Sequence, residues 1–577
     1  MTELTCFPYG VGHGEEGVCL QLQIGPHRVL LDCGLASLDP LQGETAERSP
    51  AEPPPGLIAE PPADLVICTH AHPDHARGLI GFHRRWPQIP IFASSATVAL
   101  LPLNWPGQSV PAHPNFGQSL PWRQAVEIAP DLTLTLWPAG HLPGAACCLL
   151  VYTTPKRRYT VFYTGDFLLS NARLVEGLPL NELRGLKPDV LIVEGSHGTA
   201  RHPHRRQQEN RLADQINQAI ATGYNVLLPV PVLGLGQDLV MLLRSHHHFT
   251  GKDLTVWVDP WVAEGCDAYL KLLPHLPSTV QNFARHQSLF WDERVLPRAR
   301  QLPADQPWDE GENPAIVIGY QNADLATYIH RGDRPWRILL PEPLAAKVAA
   351  AGFAPADAPR ENPTLDWLQT LDPELAEGWD NIETYLLTTH CDGPGTTQLI
   401  HNLRPQHVLL VHGAPNYLAD LANLEDLQSR YKIHIPSAGQ PVALSIGETF
   451  IQPAAPDMVF EGELTPTDTG LLLDLPDAIQ QDPRWANLTD SGIVQLRWQG
   501  DDLVVRGISQ KTLLRRGVSP AIALSTSLDC CFRCIYWRQR YCSNPKSPLF
   551  GFHVAAEGYC PAFQAKTYPS KAAESGP

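Results

Sequence analysis

At 577 residues the chain is too long for one hydrophobic core, and two to four domains are expected. A hydrophobic content of 43% with 18% charged residues excludes a disordered or fibrous chain, while 56 prolines against 3 methionines point to long, stiff loops. The net charge of -17 repels polyanions at long range, so a nucleic-acid ligand would need a local basic groove or bound metal ions.

Met1 to Gly17 has neither a basic segment nor an apolar run, and no stretch of about 18 apolar residues occurs. A cytoplasmic protein with no membrane contact is expected. Along the chain, short apolar runs repeatedly end in an ionisable residue, as buried strands do when a site lies at their carboxyl ends. Val29 to Leu31 runs into Asp32. A proline-rich stretch from Ser37 to Pro62, containing Pro53 to Pro55, reads as a surface excursion whose deletion should leave metal binding intact. Leu65 to Thr69 then meets His70, Ala71, His72, Pro73, Asp74 and His75, four metal-type ligands in one turn. Imidazoles and carboxylates at this spacing suit zinc, which keeps a position open for water in catalytic sites.

Leu132 to Trp137 approaches His141, Val161 to Thr164 leads to Asp166, and Val190 to Val193 ends in Glu194. A helix from Gln208 to Thr222 and a strand from Asn225 to Pro229 open a segment of roughly two hundred residues that reads as an inserted domain. Within it, His246, His247 and His248 read as a solvated loop. Tyr385 to Thr389 ends in His390, and Val408 to Val411 in His412. Cys6, Cys19, Cys33, Cys68, Cys147, Cys148, Cys266 and Cys391 are scattered, mostly in apolar contexts, as buried free thiols are.

The ordered set His70, His72, Asp74, His75, His141 and Asp166 resembles the metallo-β-lactamase superfamily, and the motifs C-terminal to Asp166 resemble those of its β-CASP branch of nucleic-acid-cleaving enzymes. Glu194, in Val-Glu-Gly-Ser-His-Gly, fills the place of the branch's acidic residue. Arg201, His202, Pro203, Arg205, Arg206 and Glu209 match a His-Pro and basic stretch, and Gly234, Gln237 and Asp238 match a strand, glycine and helix start. His390 with Asp392, then Val411, His412 and Gly413, resemble the two later motifs. The likeness runs from about Thr5 to Glu448. His390, Cys391 and Asp392 are closer to cleavage-and-polyadenylation-factor-type enzymes than to ribonuclease J.

The resemblance implies an α/β fold: a metallo-β-lactamase αββα sandwich over 1–205 and 381–455, with a β-CASP α/β insertion over 206–380. A small β-rich, cysteine-containing module occupies 456–577. It also implies two zinc ions, one on His70, His72 and His141, the other on Asp74, His75 and His412, with Asp166 bridging. A hydroxide between ions ~3.5 to 4 Å apart would attack a phosphodiester in line. His390 would give the leaving oxygen its proton, Glu194 would orient that imidazole, and Asp74 would help to orient or deprotonate the water. Leu235 stands where the family often has Arg, and Ser196 with His197 where it has Thr-Tyr, so phosphate contacts differ. Arg201, Arg205 and Arg206 are the replacement candidates, with a solvated helix start as the alternative.

Beyond Met458, Ile493 to Trp498 and Asp502 to Gly507 alternate as strands do. Cys531, Cys534, Cys542 and Cys560 then fit a zinc ribbon or an iron-sulfur site, with Cys530 spare and free thiols as the alternative. Arg533, Trp537, Arg538, Arg540, Tyr541 and Lys546 would grip single-stranded nucleic acid there, or pack against a protein partner or a second copy. The expected activity is zinc-dependent cleavage of nucleic acid, RNA before DNA and single-stranded. The rivals are a metallohydrolase of a small ester or thioester and a catalytically idle RNA-binding scaffold.

Overall fold

The computed structural model describes residues 4–13, 16–42, 61–303, 313–323, 328, 334–342, 381–446, 463–467, 470–474, 494–499, 502–507, 534–538, 541–546 and 564–565. Most of the proline-rich stretch, 43–60, lies outside them, as do Cys530, Cys531 and Cys560. The chain forms two compact units, Met1–Ala455 and Pro456–Pro577.

In the first unit, β1 (Leu4–Val11), β2 (Val18–Ile24), β3 (His27–Leu31), β4 (Leu65–Ile67), β5 (Ile91–Ser94) and β6 (Gln118–Leu120) belong to one sheet. A second sheet contains β7 (Val126–Ala129), β8 (Leu132–Pro138), β9 (Ala146–Thr153), β10 (Arg158–Tyr163) and β11 (Val190–Glu194). The insertion contributes β12 (Asn225–Val230), β13 (Thr255–Val258), β14 (Arg298–Gln301), β15 (Ile316–Tyr320), β16 (Trp336–Pro341) and β17 (Ile382–Tyr385). The chain then returns through β18 (His407–Val411) and β19 (Lys432–His434), which extend the second sheet beside β11, and β20 (Val442–Leu444), which joins β1.

Period-two alternation explains why these strands read as continuous apolar runs. Val29 and Leu31 of β3, Val161 and Tyr163 of β10, Val190 and Ile192 of β11 and Leu409 and Val411 of β18 share one core between the two sheets. Their neighbours Leu30, Phe162, Leu191, Val193, Val408 and Leu410 point the other way, into the core under the helices. Both sheet faces are therefore covered, which is the αββα sandwich.

The inserted sheet runs β14-β13-β15-β12-β16-β17, with every pairing parallel. Parallel strands present their carboxyl ends on one edge, where α/β sheets bind ligands. β17 pairs with β16 and so belongs to this sheet. The helix expected from Gln208 spans Arg205–Ala221.

The expected strand Tyr385 to Thr389 ends at Tyr385. The reason is tertiary. Gln208 Oε1 accepts the backbone N–H of Thr388 at 3.0 Å, and the Arg205 guanidinium donates to the Thr388 carbonyl, so the groups a ladder would use are taken by one helix.

In the second unit, β21 (Glu463–Thr467) pairs with β22 (Gly470–Asp474), and β23 (Val494–Gln499) with β24 (Asp502–Gly507), both antiparallel. A short pair comes next, β25 (Trp537–Arg538) with β26 (Tyr541–Cys542). Cys534 and Cys542 are buried and belong to no disulfide. Among the described residues no helix is long and apolar enough to cross a membrane.

Candidate metal centre

The turn after β4 places four candidate ligands because Pro73 opens a helix of one turn, Pro73–Ala76, with His72 as its N-cap. The backbone beneath is tight. A Cβ on Gly34 would lie 1.6 Å from the Asp74 carbonyl oxygen, so only glycine lets the loop after β3 support this turn. Asp166 follows β10 and His412 follows β18, the latter with a left-handed φ of 52°.

These residues come together. One ligand atom each from His70, His72, His141 and Asp166 lies within 4.8 Å of the others, and the same holds for Asp74, His75 and His412. Asp166 spans both groups. Its Oδ2 is 3.4 Å from His70 Nε2 and 3.7 Å from His141 Nε2, while Oδ1 is 3.3 Å from His75 Nε2 and 3.5 Å from His412 Nδ1. Asp74 Oδ2 stands 3.2 Å from His412 Nε2.

Second partners hold several rings from behind, as metal-ligating histidines require. His75 Nδ1 donates to Asp32 Oδ2 at 2.8 Å, and that buried carboxylate also receives Tyr163 OH at 2.7 Å and the Thr69 N–H and hydroxyl. His141 Nδ1 donates to the Thr389 carbonyl at 2.8 Å, and His72 Nε2 faces the Leu233 carbonyl of the insertion at 3.4 Å.

His72 Nδ1 and His141 Nε2 face each other at 2.9 Å. Burial pushes His72 down to about 3 and His141 well below the usual histidine range, which favours the neutral imidazoles that a metal binds. His70 Nε2, His75 Nε2 and Asp166 Oδ1 are buried without a hydrogen-bond partner. Buried polar atoms left without hydrogen-bond partners are costly unless something satisfies them, and this imidazole and carboxylate donor set fits a metal.

Beside the cluster, Glu194 is 1% exposed; its Oε1 accepts the Phe167 N–H at 2.6 Å and its Oε2 lies 2.8 Å from His390 Nδ1. Burial disfavours charge on His390, but Glu194 and Asp166 outweigh it and raise the imidazole above its usual range. The His390 side chain is 20% exposed, so the far side of the ring reaches solvent.

Sequence reasoning finds Asp32 only as a strand end. Its signal is the one that marks Asp166, an acidic residue closing an apolar run. The Thr388 clamp and the Leu233 carbonyl are missed, because they carry no side-chain signal. Ser196 donates to Glu194 Oε2 and stands 2.9 Å from His412 Nδ1, and His197 Nε2 is 2.9 Å from Thr388 Oγ1. Both serve internal bonds.

Two expectations are corrected. Arg205, a candidate for gripping phosphate or for a solvated helix start, is 9% exposed and is bound to Asp238 at 2.7 Å as well as to Thr388. His246 is buried, not part of a solvated loop, with Nε2 3.2 Å from Asn210 Oδ1, and His248 Nε2 is 2.7 Å from Asp214 Oδ1. Gln237 caps its own helix, accepting the Gly234 N–H at 2.7 Å, and Asp392 caps the helix Gly393–Leu403 through the Gly395 N–H.

Comparison with known proteins agrees with this geometry. Residues 27–219 match the beta-lactamase superfamily domain, and residues 380–436 match the Zn-dependent metallo-hydrolase RNA specificity domain. The uncharacterized protein sll0514 of Synechocystis sp. is 45% identical over 574 residues, 97% of either chain. Endoribonuclease YSH1 of Mycosarcoma maydis is 26% identical over 405 residues, covering 66% of this chain and 43% of that protein. Integrator complex subunit 11 of Gallus gallus is 23% identical over 508 residues, 83% and 79% of the two chains. The chain belongs to the β-CASP branch of the metallo-β-lactamase superfamily, a branch that contains metal-dependent nucleases.

Proposed function

We propose that the protein is a zinc-dependent phosphodiesterase that cleaves single-stranded RNA. His70, His72 and His141 would hold one ion, and Asp74, His75 and His412 a second, with Asp166 shared. Bound there, the metal would supply Lewis-acid stabilisation of the phosphoryl oxygens and a water acidic enough to ionise near neutral pH.

The chain's own residues supply the rest. Glu194, fixed by the Phe167 N–H, holds the Nδ1–H of His390 and leaves Nε2 on the solvent side. A protonated Nε2 there can pass its proton to the departing ribose oxygen, which otherwise leaves as an alkoxide. Asp74, on the partly exposed side of the cluster, is placed to orient the attacking water.

The observation that carries this reading is the Glu194–His390 pair beside the histidine cluster. Hydrolysis of an activated small ester or thioester has less need of a proton donor opposite the nucleophile, and an idle scaffold has no need of one. The RNA-specificity match over 380–436 spans both His390 and His412, and the nuclease names of the relatives support RNA.

The test is cleavage of end-labelled single-stranded RNA by zinc-loaded protein, beside a His390→Ala variant of verified metal content. Wild type should cut, and the variant should be slower by about 100-fold or more, the usual scale of a lost general acid. Absence of RNA or DNA cleavage by wild type with two zinc ions bound would end the nuclease reading.

A further inference from the structure

Large apolar side chains in the first unit are mostly buried, and among the described residues only Trp261, Tyr417 and Ile435 stand out as exposed there. A single exposed aromatic carries little meaning. Two of these three, however, sit on segments bonded or packed against the metal cluster's own loops, one on the insertion and one on the body.

Trp261 follows β13 at the start of the helix Pro260–Lys271 and is 40% exposed. Its backbone is fixed, because the Trp261 N–H donates to the N-cap carboxylate of Asp259 at 2.8 Å. Its ring lies 6.4 Å from that of Tyr320, which ends the neighbouring strand β15. That strand end is tied to the metal centre: the Gln321 N–H donates to the Val230 carbonyl at 2.8 Å, and three residues later the Leu233 carbonyl faces His72. Adjacent strands are about 4.8 Å apart, so the Trp261–Tyr320 pair stands roughly one to two strand spacings from the loop that reaches the cluster. It also lies on the carboxyl edge of the sheet, where ligands bind.

Tyr417 lies on the helix Pro415–Ala422, which starts three residues after His412, and is 42% exposed. A Cβ on Gly198 would meet its Cβ and its backbone at 2.9 Å, so Tyr417 packs on the loop that begins with Glu194. The two aromatics are thus held by the segments that carry His72 on one side and Glu194 and His412 on the other.

We propose that Trp261, backed by Tyr320, and Tyr417 are base-stacking platforms for the nucleotides that flank the reacting phosphate of a single-stranded substrate. Every nucleobase offers a π face, and an aromatic ring accepts it without reading sequence. Stacking also answers the charge problem. A chain of net charge -17 gains grip from contacts that do not depend on phosphate attraction.

This inference rests on the proposed nuclease activity, and its test separates the two. Zinc-loaded wild type, Trp261→Ala, Trp261→Phe and Tyr417→Ala are compared on a long single-stranded RNA and on bis(p-nitrophenyl) phosphate, a diester without a base. Each alanine variant should raise KM for RNA by roughly 5- to 150-fold, the scale of one lost base stack. Activity on the small diester should be unchanged, and Trp261→Phe should restore most of the RNA affinity. Unchanged KM for RNA in both alanine variants would overturn the platforms while leaving the nuclease intact. Equal losses on both substrates would also overturn them, by showing a structural role. A wild type active only on the small diester would instead overturn the nuclease reading on which they rest.

Discussion

Asp32→Asn isolates the part of the centre that lies behind the ligands. Asp32 Oδ1 accepts the Thr69 N–H at 2.7 Å, while Oδ2 stands 2.8 Å from His75 Nδ1 and 2.7 Å from Tyr163 OH. Asparagine has the same shape and tolerates the left-handed φ of 57° at this position. Its carbonyl must face the Thr69 N–H, which turns the amide nitrogen toward His75. The two hydroxyls can reverse their roles, but the imidazole can do so only by moving its proton to Nε2, the nitrogen that faces Asp166. The loss therefore falls on metal binding and not on folding.

Losses of partners of this kind reduce metal affinity by about 10- to 100-fold, roughly 1.4 to 2.7 kcal/mol. Zinc competition against a chromophoric chelator measures the affinity, and thermal melting of the metal-free protein measures the fold. Wild-type zinc affinity in Asp32→Asn would refute the reasoning. So would a large loss of metal-free stability with no change in affinity per folded molecule.

The same geometry sets three other outcomes. Gln208→Leu removes the acceptor for the Thr388 N–H, which loosens the segment that orients His141 and His390; kcat should fall by up to about 100-fold with KM nearly unchanged, and Gln208→Glu, which keeps the acceptor, should recover most of it. Equal kcat in wild type and Gln208→Leu would show that the clamp plays no part in orienting those rings. Burial pushes Cys6 up to about 12 and raises Cys68, Cys147 and Cys148 well above the usual thiol range, so at pH 8 all four stay protonated and unreactive. Iodoacetamide should label them only after denaturation, and rapid labelling of the native protein would contradict this. For the tail, we propose that Cys534 and Cys542 act with Cys531 and Cys560 around a metal. Anaerobically purified protein should show either a visible absorption band, marking iron-sulfur, or a third zinc equivalent; neither would mean free thiols.

The sequence alone pointed to the candidate centre because several of its residues close apolar runs, and a buried strand can end in an ionisable residue only where something satisfies it. That rule finds His70, Asp166, Glu194 and His412, and it marks Asp32 as well, whereas His390 lies five residues past the end of its strand. It also carries the sandwich, since strands buried on both faces, such as Val190–Val193, leave no alternation to mistake for a half-exposed sheet. The tertiary structure decided what local pattern cannot encode. The partners of Arg205 and His246 come from Thr388, Asp238 and Asn210, so neither side chain's burial is written near it in the chain. The strand read as Tyr385–Thr389 stops at Tyr385 because side chains nearly two hundred residues earlier take its backbone groups. The 2.9 Å approach of His72 Nδ1 and His141 Nε2 is likewise a fact of assembly: the two residues lie 69 apart in the chain, and only the packing of their loops brings them together.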